Sequence, residues 1–184
     1  MTEAGGESRT RGLALTRRAL YQLSYTGTEK TMTTTYLKKS AMGKWDKRMF
    51  DVAELHASWS KDPSSKVGCV IVDQDRHEVG HGYNGFPQGV EDREDRYANR
   101  TLKYLFVVHA EKNAIMNAVK SVRGCTLYCT FAPCASCAGM IIQAKIQTVI
   151  APKPPADFAE RWKDDLAVME TMFAEAGVEL ILVD

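Results

Sequence analysis

The chain has 184 residues, of which 45% are hydrophobic and 26% charged, a globular composition that excludes disorder over its whole length. That length suits one domain, and no apolar run approaches the roughly 20 residues that a membrane-spanning helix needs. The formal net charge of +1 is unevenly divided: residues 1–42 carry seven basic and three acidic side chains, leaving 17 of the 24 basic and 20 of the 23 acidic residues to the remainder. A mildly acidic body is a poor footprint for a duplex or a folded RNA. It is compatible with a small anionic ligand, which needs only a few aimed cations.

Residues 1–42 are rich in Thr, Gly, Ser and basic side chains without a sustained apolar period. They read as a flexible basic extension, with room for a short helix over Ala14–Leu23. The stretch is Arg-rich and acid-poor, as organelle-targeting segments are. A plain extension, or an early start ahead of Met32, is the simpler reading. Order is expected from Trp45. Trp45, Met49, Val52, His56 and Trp59 recur at helical spacing and predict an amphipathic helix over 44–60, stopped by Lys61-Asp62-Pro63. Val67–Val72 and Glu78–Tyr83 read as strands joined by the polar turn Asp73–His77. Gly82, Gly85, Pro87 and Gly89 mark a loop, and residues 90–104 a charged surface. Then helix and strand alternate: Ala110–Lys120, Thr126–Thr130, Cys134–Ala144 and Thr148–Ala151. A helix carrying Phe158, Trp162, Leu166, Met169, Phe173 and Ala176 follows, closed by Gly177, and Val178–Val183 is the last strand. A helix between the last two strands makes them parallel through a right-handed crossover. The expected architecture is a three-layer α/β/α domain over 43–184, with a mixed sheet of about five strands.

The five cysteines are Cys69, Cys125, Cys129, Cys134 and Cys137. An odd count without an apolar secretory segment argues against a disulfide framework and for a reducing, cytoplasmic compartment. Two fragments carry chemistry together: His109-Ala110-Glu111 and Pro133-Cys134-Ala135-Ser136-Cys137. Each sits where a strand gives way to a helix, so the partial positive charge of two helix N-termini favours thiolates at Cys134 and Cys137. One His and two Cys suit tetrahedral zinc with the fourth position left to water. A structural zinc would want a fourth side chain, and Cys69, Cys125 and Cys129, placed in or beside strands, are poor candidates. Zinc lowers the pKa of bound water to about 7. Glu111, two residues beyond His109, is placed to take that water's proton and pass it to a leaving group. His-x-Glu followed by Pro-Cys-x-x-Cys is the signature of zinc nucleobase deaminases. His56, His77 and His81 have no partner at metal-ligand spacing in the sequence.

With those residues in place, the sequence resembles the cytidine deaminase-like superfamily and, within it, the deoxycytidylate (dCMP) deaminases. The similarity runs roughly from Trp45 to Asp184. It includes the stretch from Ser60 to Gly68, the loop Gly82-Tyr83-Asn84-Gly85-Phe86-Pro87-Gln88-Gly89, Val108–Ile115 and Ile141-Ile142-Gln143-Ala144. The resemblance implies hydrolysis of dCMP to dUMP and ammonia, supplying thymidylate synthesis. It implies zinc on His109, Cys134 and Cys137 with Glu111 as proton shuttle. The Ala110 N–H and Glu111 would read O2 and N3 of cytosine, backbone at Ala132 and Pro133 would receive the exocyclic amine, and Asn84 would bond the sugar 3′-hydroxyl. Relatives are often hexamers, activated by dCTP and inhibited by dTTP with Mg2+ on the triphosphate, near a loop that here holds Tyr83 and Gly85. For the substrate phosphate the nearest cations are Arg93, Arg96, Arg100 and Lys103, and the sequence does not choose among them. Asn84 can also serve only its turn, and Tyr83 and Phe86 can stack on a base or fill a subunit contact. The competing functions are a deaminase of tRNA adenosine, guanine or dCTP, a single-stranded DNA editor, and a zinc-stabilised binding domain. The acidic body speaks against the nucleic-acid readings and the presence of Glu111 against the last.

Overall fold

The structure is a computed structural model and describes residues 34–184. The expectations for residues 1–33, including the helix over Ala14–Leu23, lie outside the described residues. Strand β1 (Thr34–Leu37) leads through a 3₁₀ turn at Lys39–Ala41 into helix α1 (Lys44–Ser58), followed by β2 (Gly68–Val72) and β3 (Glu78–Tyr83). Two short helices, α2 (Glu94–Ala98) and α3 (Arg100–Phe106), precede α4 (Ala110–Met116). The chain then runs β4 (Thr126–Cys129), α5 (Ala135–Gln143), β5 (Thr148–Pro152), α6 (Ala156–Arg161), α7 (Lys163–Ala176) and β6 (Glu179–Val183). The strand order is β1-β6-β5-β4-β2-β3. β2 pairs antiparallel with β3 and β4, while β4–β5, β5–β6 and β6–β1 are parallel.

Alternation along the strands builds the three layers. Val70, Val72, Tyr128, Ile150 and Val183 point to one face, where Ala53, Met49 and Phe50 of α1 cover them together with Met42. Cys69, Ile71, Leu127, Cys129, Val149, Ala151, Leu180 and Leu182 point to the other, against Ala110 and Ala114 of α4, Ala138 and Ile141 of α5, and Met169 and Phe173 of α7. Two glycines let α4 lie flush on β3: a Cβ on Gly80 or Gly82 would stand 2.6 Å from a carbonyl oxygen of α4, that of Ala114 or Ala110. The close approach seats the first turn of α4 at the end of the sheet where β4 gives way to α5.

The α/β/α architecture and the parallel last pair are as expected, but the sheet has six strands rather than five. The additional one is β1, which falls within residues 34–42 of the expected flexible extension. Those residues belong to the fold: Tyr36 stands opposite Leu182, the Asp184 N–H donates to the Leu37 carbonyl at 3.0 Å, and Met42 is buried. Other boundaries shift for local reasons. The helix expected to reach Lys120 ends at Met116, and the Val119 N–H pairs instead with the Val79 carbonyl of β3 at 2.9 Å. The charged surface at 90–104 is folded into α2 and α3, with Asn99 capping α3 through the Leu102 N–H at 3.1 Å. The last helix is two, broken at Trp162 (φ −117°, ψ 21°).

Candidate active site

His109 and Cys134 are the residues immediately before α4 and α5, and both have extended backbone (φ −73° and −83°). Glu111 and Cys137 follow within the first turns. The two helix starts therefore face each other at one edge of the sheet. His109 Nδ1 lies 3.5 Å from Cys134 Sγ and 3.3 Å from Cys137 Sγ, and the three donor atoms all fall within 4.8 Å of one another. Bond lengths of 2.0–2.1 Å to nitrogen and 2.3 Å to sulfur at a tetrahedral angle require donors roughly 3.5–3.8 Å apart. The donor set and its spacing fit zinc.

The charges suit that reading. Cys134 is pulled down to about 3, first by the Cys137 thiol that donates to it and then by His109, against the opposing effect of burial. Cys137 is pushed up by the same hydrogen bond and by burial. His109 is raised, chiefly by its contact with Cys134. Glu111 is 3% exposed, and burial raises its carboxyl above the ordinary range, partly offset by the charge on His109. A carboxyl shifted towards neutrality by burial is fitted to hold and release a proton.

The surrounding loops are fastened to this corner. Gly85 and Val108 exchange backbone hydrogen bonds of 3.1 and 2.8 Å, tying the Gly82–Gly89 loop to the residue before His109. Asn113 of α4 donates to the Tyr83 carbonyl at 2.8 Å. Lys112 of α4 donates to Ser136 of α5 at 2.8 Å, and Asp165 of α7 accepts the Ala135 N–H at 3.0 Å. Ala110, Ala132 and Pro133 are all buried at this corner.

The profile of the cytidine and deoxycytidylate deaminase zinc-binding region matches residues 43–153. The chain belongs to this family. Among curated members, an uncharacterised deaminase from the luxG 3′ region of Aliivibrio fischeri is 46% identical over 139 residues, covering 76% of this chain and 93% of that protein. Deoxycytidylate deaminase of Homo sapiens is 45% identical over 112 residues, covering 58% of this chain but only 63% of its own length. Among solved structures, the dCMP deaminase of cyanophage S-TIM5 in complex with dCMP and dUMP superposes with a TM-score of 0.58 and 31% identity, over 76% of this chain and 97% of that one.

Within this deaminase fold the other sequence-predicted residues have definite places. Asn84 is buried, its Oδ1 accepting the Val67 N–H and its Nδ2 donating to the Ser65 carbonyl, both at 2.8 Å. One N–H of its amide remains for another partner. Tyr83 is exposed, with its ring edge-on to Trp59, and Phe86 stacks on Tyr97 at 4.3 Å. Arg93 pairs with Asp95 on the surface. Arg96 donates to the Glu91 carbonyl and lies over Phe106, while Arg100 bonds the Tyr104 hydroxyl. Lys103 is buried against Asp62, 3.1 Å from its Oδ2, and donates to the Ser64 hydroxyl. Of the four cations, Arg96 and Arg100 alone form no salt bridge among the described residues.

Two arrangements were not legible in the sequence. His56, Glu78 and His81 meet on α1 and β3, with donor atoms within 4.8 Å of one another, although no sequence spacing joins them. The two imidazoles stack at 4.2 Å and only 6° apart, so no point lies in both ring planes and these rotamers do not share a metal. The Asp62–Lys103–Ser64 network is the other. The Asp-Pro-Ser-Ser turn hints at it, but the partner Lys103 sits 41 residues away. Cys69, Cys125 and Cys129 are buried in the core and stand outside the His109 group.

Proposed function

We propose that the chain is a zinc-dependent dCMP deaminase, converting dCMP and water to dUMP and ammonia. The observation that carries the substrate is the match along nearly the whole length of a dCMP deaminase solved with dCMP and dUMP. The curated deoxycytidylate deaminases extend well beyond the matched region, so identity of substrate is a reading from that match and from the site.

His109, Cys134 and Cys137 would hold the zinc, which when bound would lower the pKa of water to about 7 and so make a nucleophile available at neutral pH. Glu111 accepts a proton from the nucleophile at its carboxylate oxygen. That proton goes to N3; Glu111 then takes the second proton, from the hydroxyl now on C4, and passes it to the departing amine, so that C4 exchanges its bond to nitrogen for one to oxygen and ammonia leaves. The Ala110 N–H, first in α4, is the donor for O2, and the backbone at Ala132 and Pro133 receives the amine. Asn84 offers its remaining N–H to the 3′-hydroxyl. Arg96 and Arg100 are the cations free to meet the 5′-phosphate. The relatives' regulation enters this reading too: a homo-oligomer, with dCTP and dTTP as Mg2+-bound effectors near Tyr83 and Gly85. Five unpaired cysteines suit the cytoplasm, and among the described residues no helix is long and apolar enough to cross a membrane.

Ammonia release from dCMP, CMP, deoxycytidine, dCTP, guanine and a tRNA anticodon stem tests the proposal. A phosphate held by one charge-assisted contact contributes roughly 1.5–3 kcal/mol, so deoxycytidine should lose at least about tenfold in kcat/KM. Equal use of deoxycytidine, or preference for adenosine in tRNA, would overturn the substrate and leave the zinc chemistry standing.

A further inference from the structure

Cys134 occupies the N-cap position of α5, where a Ser or Asp would ordinarily accept an orphan N–H of the first turn. Its sulfur does not accept the N–H of Ala135, the first residue of the helix. The Cys134 sulfur faces the Cys137 N–H, the third of the helix, and the N–H of the first residue is left for an acceptor from elsewhere. That acceptor is on another helix. Asp165 Oδ2 takes the N–H of Ala135, the first residue of α5, at 3.0 Å. Asp165 is half-buried, and its helix is anchored one and two turns further on by Met169 and Phe173, each 1% exposed. These pack in the same core cluster as Ala138 and Ile141 of α5. The carboxylate is thus held by the core rather than by a mobile loop, and it touches the one residue that joins Cys134 to the turn bearing Cys137. The neighbouring Asp164 is exposed.

We propose that Asp165 is a positioning residue for the zinc centre, fixing through the Ala135 N–H the turn that presents Cys134 and Cys137. The inference rests on the zinc reading above. Partners of this outer kind typically change metal affinity 10–100-fold when removed. Asp165→Ala should weaken zinc binding by that factor, measured by competition with a chromophoric chelator on the full chain, whereas Asp164→Ala should not. A second variant removes the donor instead. Proline is favoured at the first helical position, and the extended backbone of Cys134 (ψ 168°) is what a following proline requires. Ala135→Pro should therefore fold, lack the N–H, and lose zinc affinity to the same extent. Because both substitutions break one bond, the double variant should bind zinc no more weakly than the weaker single one. If Ala135→Pro stays within threefold of wild type, or the two losses add, the inference falls. If Asp165→Ala does not fold, Ala135→Pro decides alone. Wild-type zinc affinity in Cys134→Ala would instead overturn the zinc reading itself.

Discussion

Glu111 and Asp62 are both carboxyls with 3% exposure or less, and their surroundings push them in opposite directions. Glu111 is raised by burial. Replacing it with Gln keeps size and helix start but removes the proposed proton carrier, so Glu111→Gln should retain zinc and bind dCMP while kcat falls about 10²–10⁴-fold. Turnover within a few-fold of wild type would assign the proton to another group. For Asp62, burial alone would raise the carboxyl, yet the Ser64 N–H and hydroxyl, the Lys103 ammonium and the Ser65 N–H together hold it below the ordinary 3.8. Its folded pKa is thus below its unfolded one. The stability it contributes is complete above the unfolded value and is lost as pH falls through the folded value. Asp62→Asn should flatten the fall in unfolding free energy below about pH 4. Lys103→Met leaves the buried carboxylate without its cation and should cost about 3–5 kcal/mol in denaturant unfolding at pH 7. A loss under 1 kcal/mol would mean that Ser64 and Ser65 suffice.

At the scale of elements, β1 separates what the sequence discloses from what it hides. His109-Ala110-Glu111 and Pro133-Cys134-Ala135-Ser136-Cys137 were legible because each is local: a candidate ligand at a strand–helix junction and its partner within one turn. The β2–β3 pair and the crossovers were legible from apolar runs. Thr34–Leu37 has no such run, and its order comes from pairing with β6, at the far end of the chain. Asp165 was equally invisible, because its meeting with Ala135 depends on the phase in which α7 packs on α5. The consequence for β1 is measurable. A chain beginning at Met32 keeps the strand, whereas one beginning at Gly43 loses it together with Met42, which is 7% exposed beneath α1. Losing a buried Met side chain alone costs about 2–5 kcal/mol. The shorter chain also exposes β6 as a new edge, open to pairing with another molecule. It should melt several degrees lower and aggregate more readily, as read by scanning calorimetry and light scattering. Identical melting of the two chains would show that β1 and Met42 contribute nothing to the domain.

Across the whole molecule, the candidate metal centre joins parts of the chain that the sheet alone holds at a distance. His109 precedes α4, which rests on β3, and the cysteines begin α5, which crosses from β4 to β5. Zinc bound between them would clamp one face of the sheet from both sides of β4, and the unfolded chain has no such preformed site. Binding to the folded state alone stabilises by RT ln(1 + [L]/Kd), about 4.1 kcal/mol at a thousandfold excess over Kd. For a domain of 150–250 residues each kcal/mol moves the melting temperature by about 2–4 °C. Zinc at that excess should therefore raise the melting temperature of chelator-stripped protein by roughly 8–16 °C. The increment should grow with the logarithm of free zinc and vanish in Cys134→Ala. Glu111→Gln should keep it, because Glu111 lies beside the donors without being one of them. A melting temperature indifferent to zinc in the wild-type chain would mean that the His109, Cys134 and Cys137 donors do not hold the metal in the folded state.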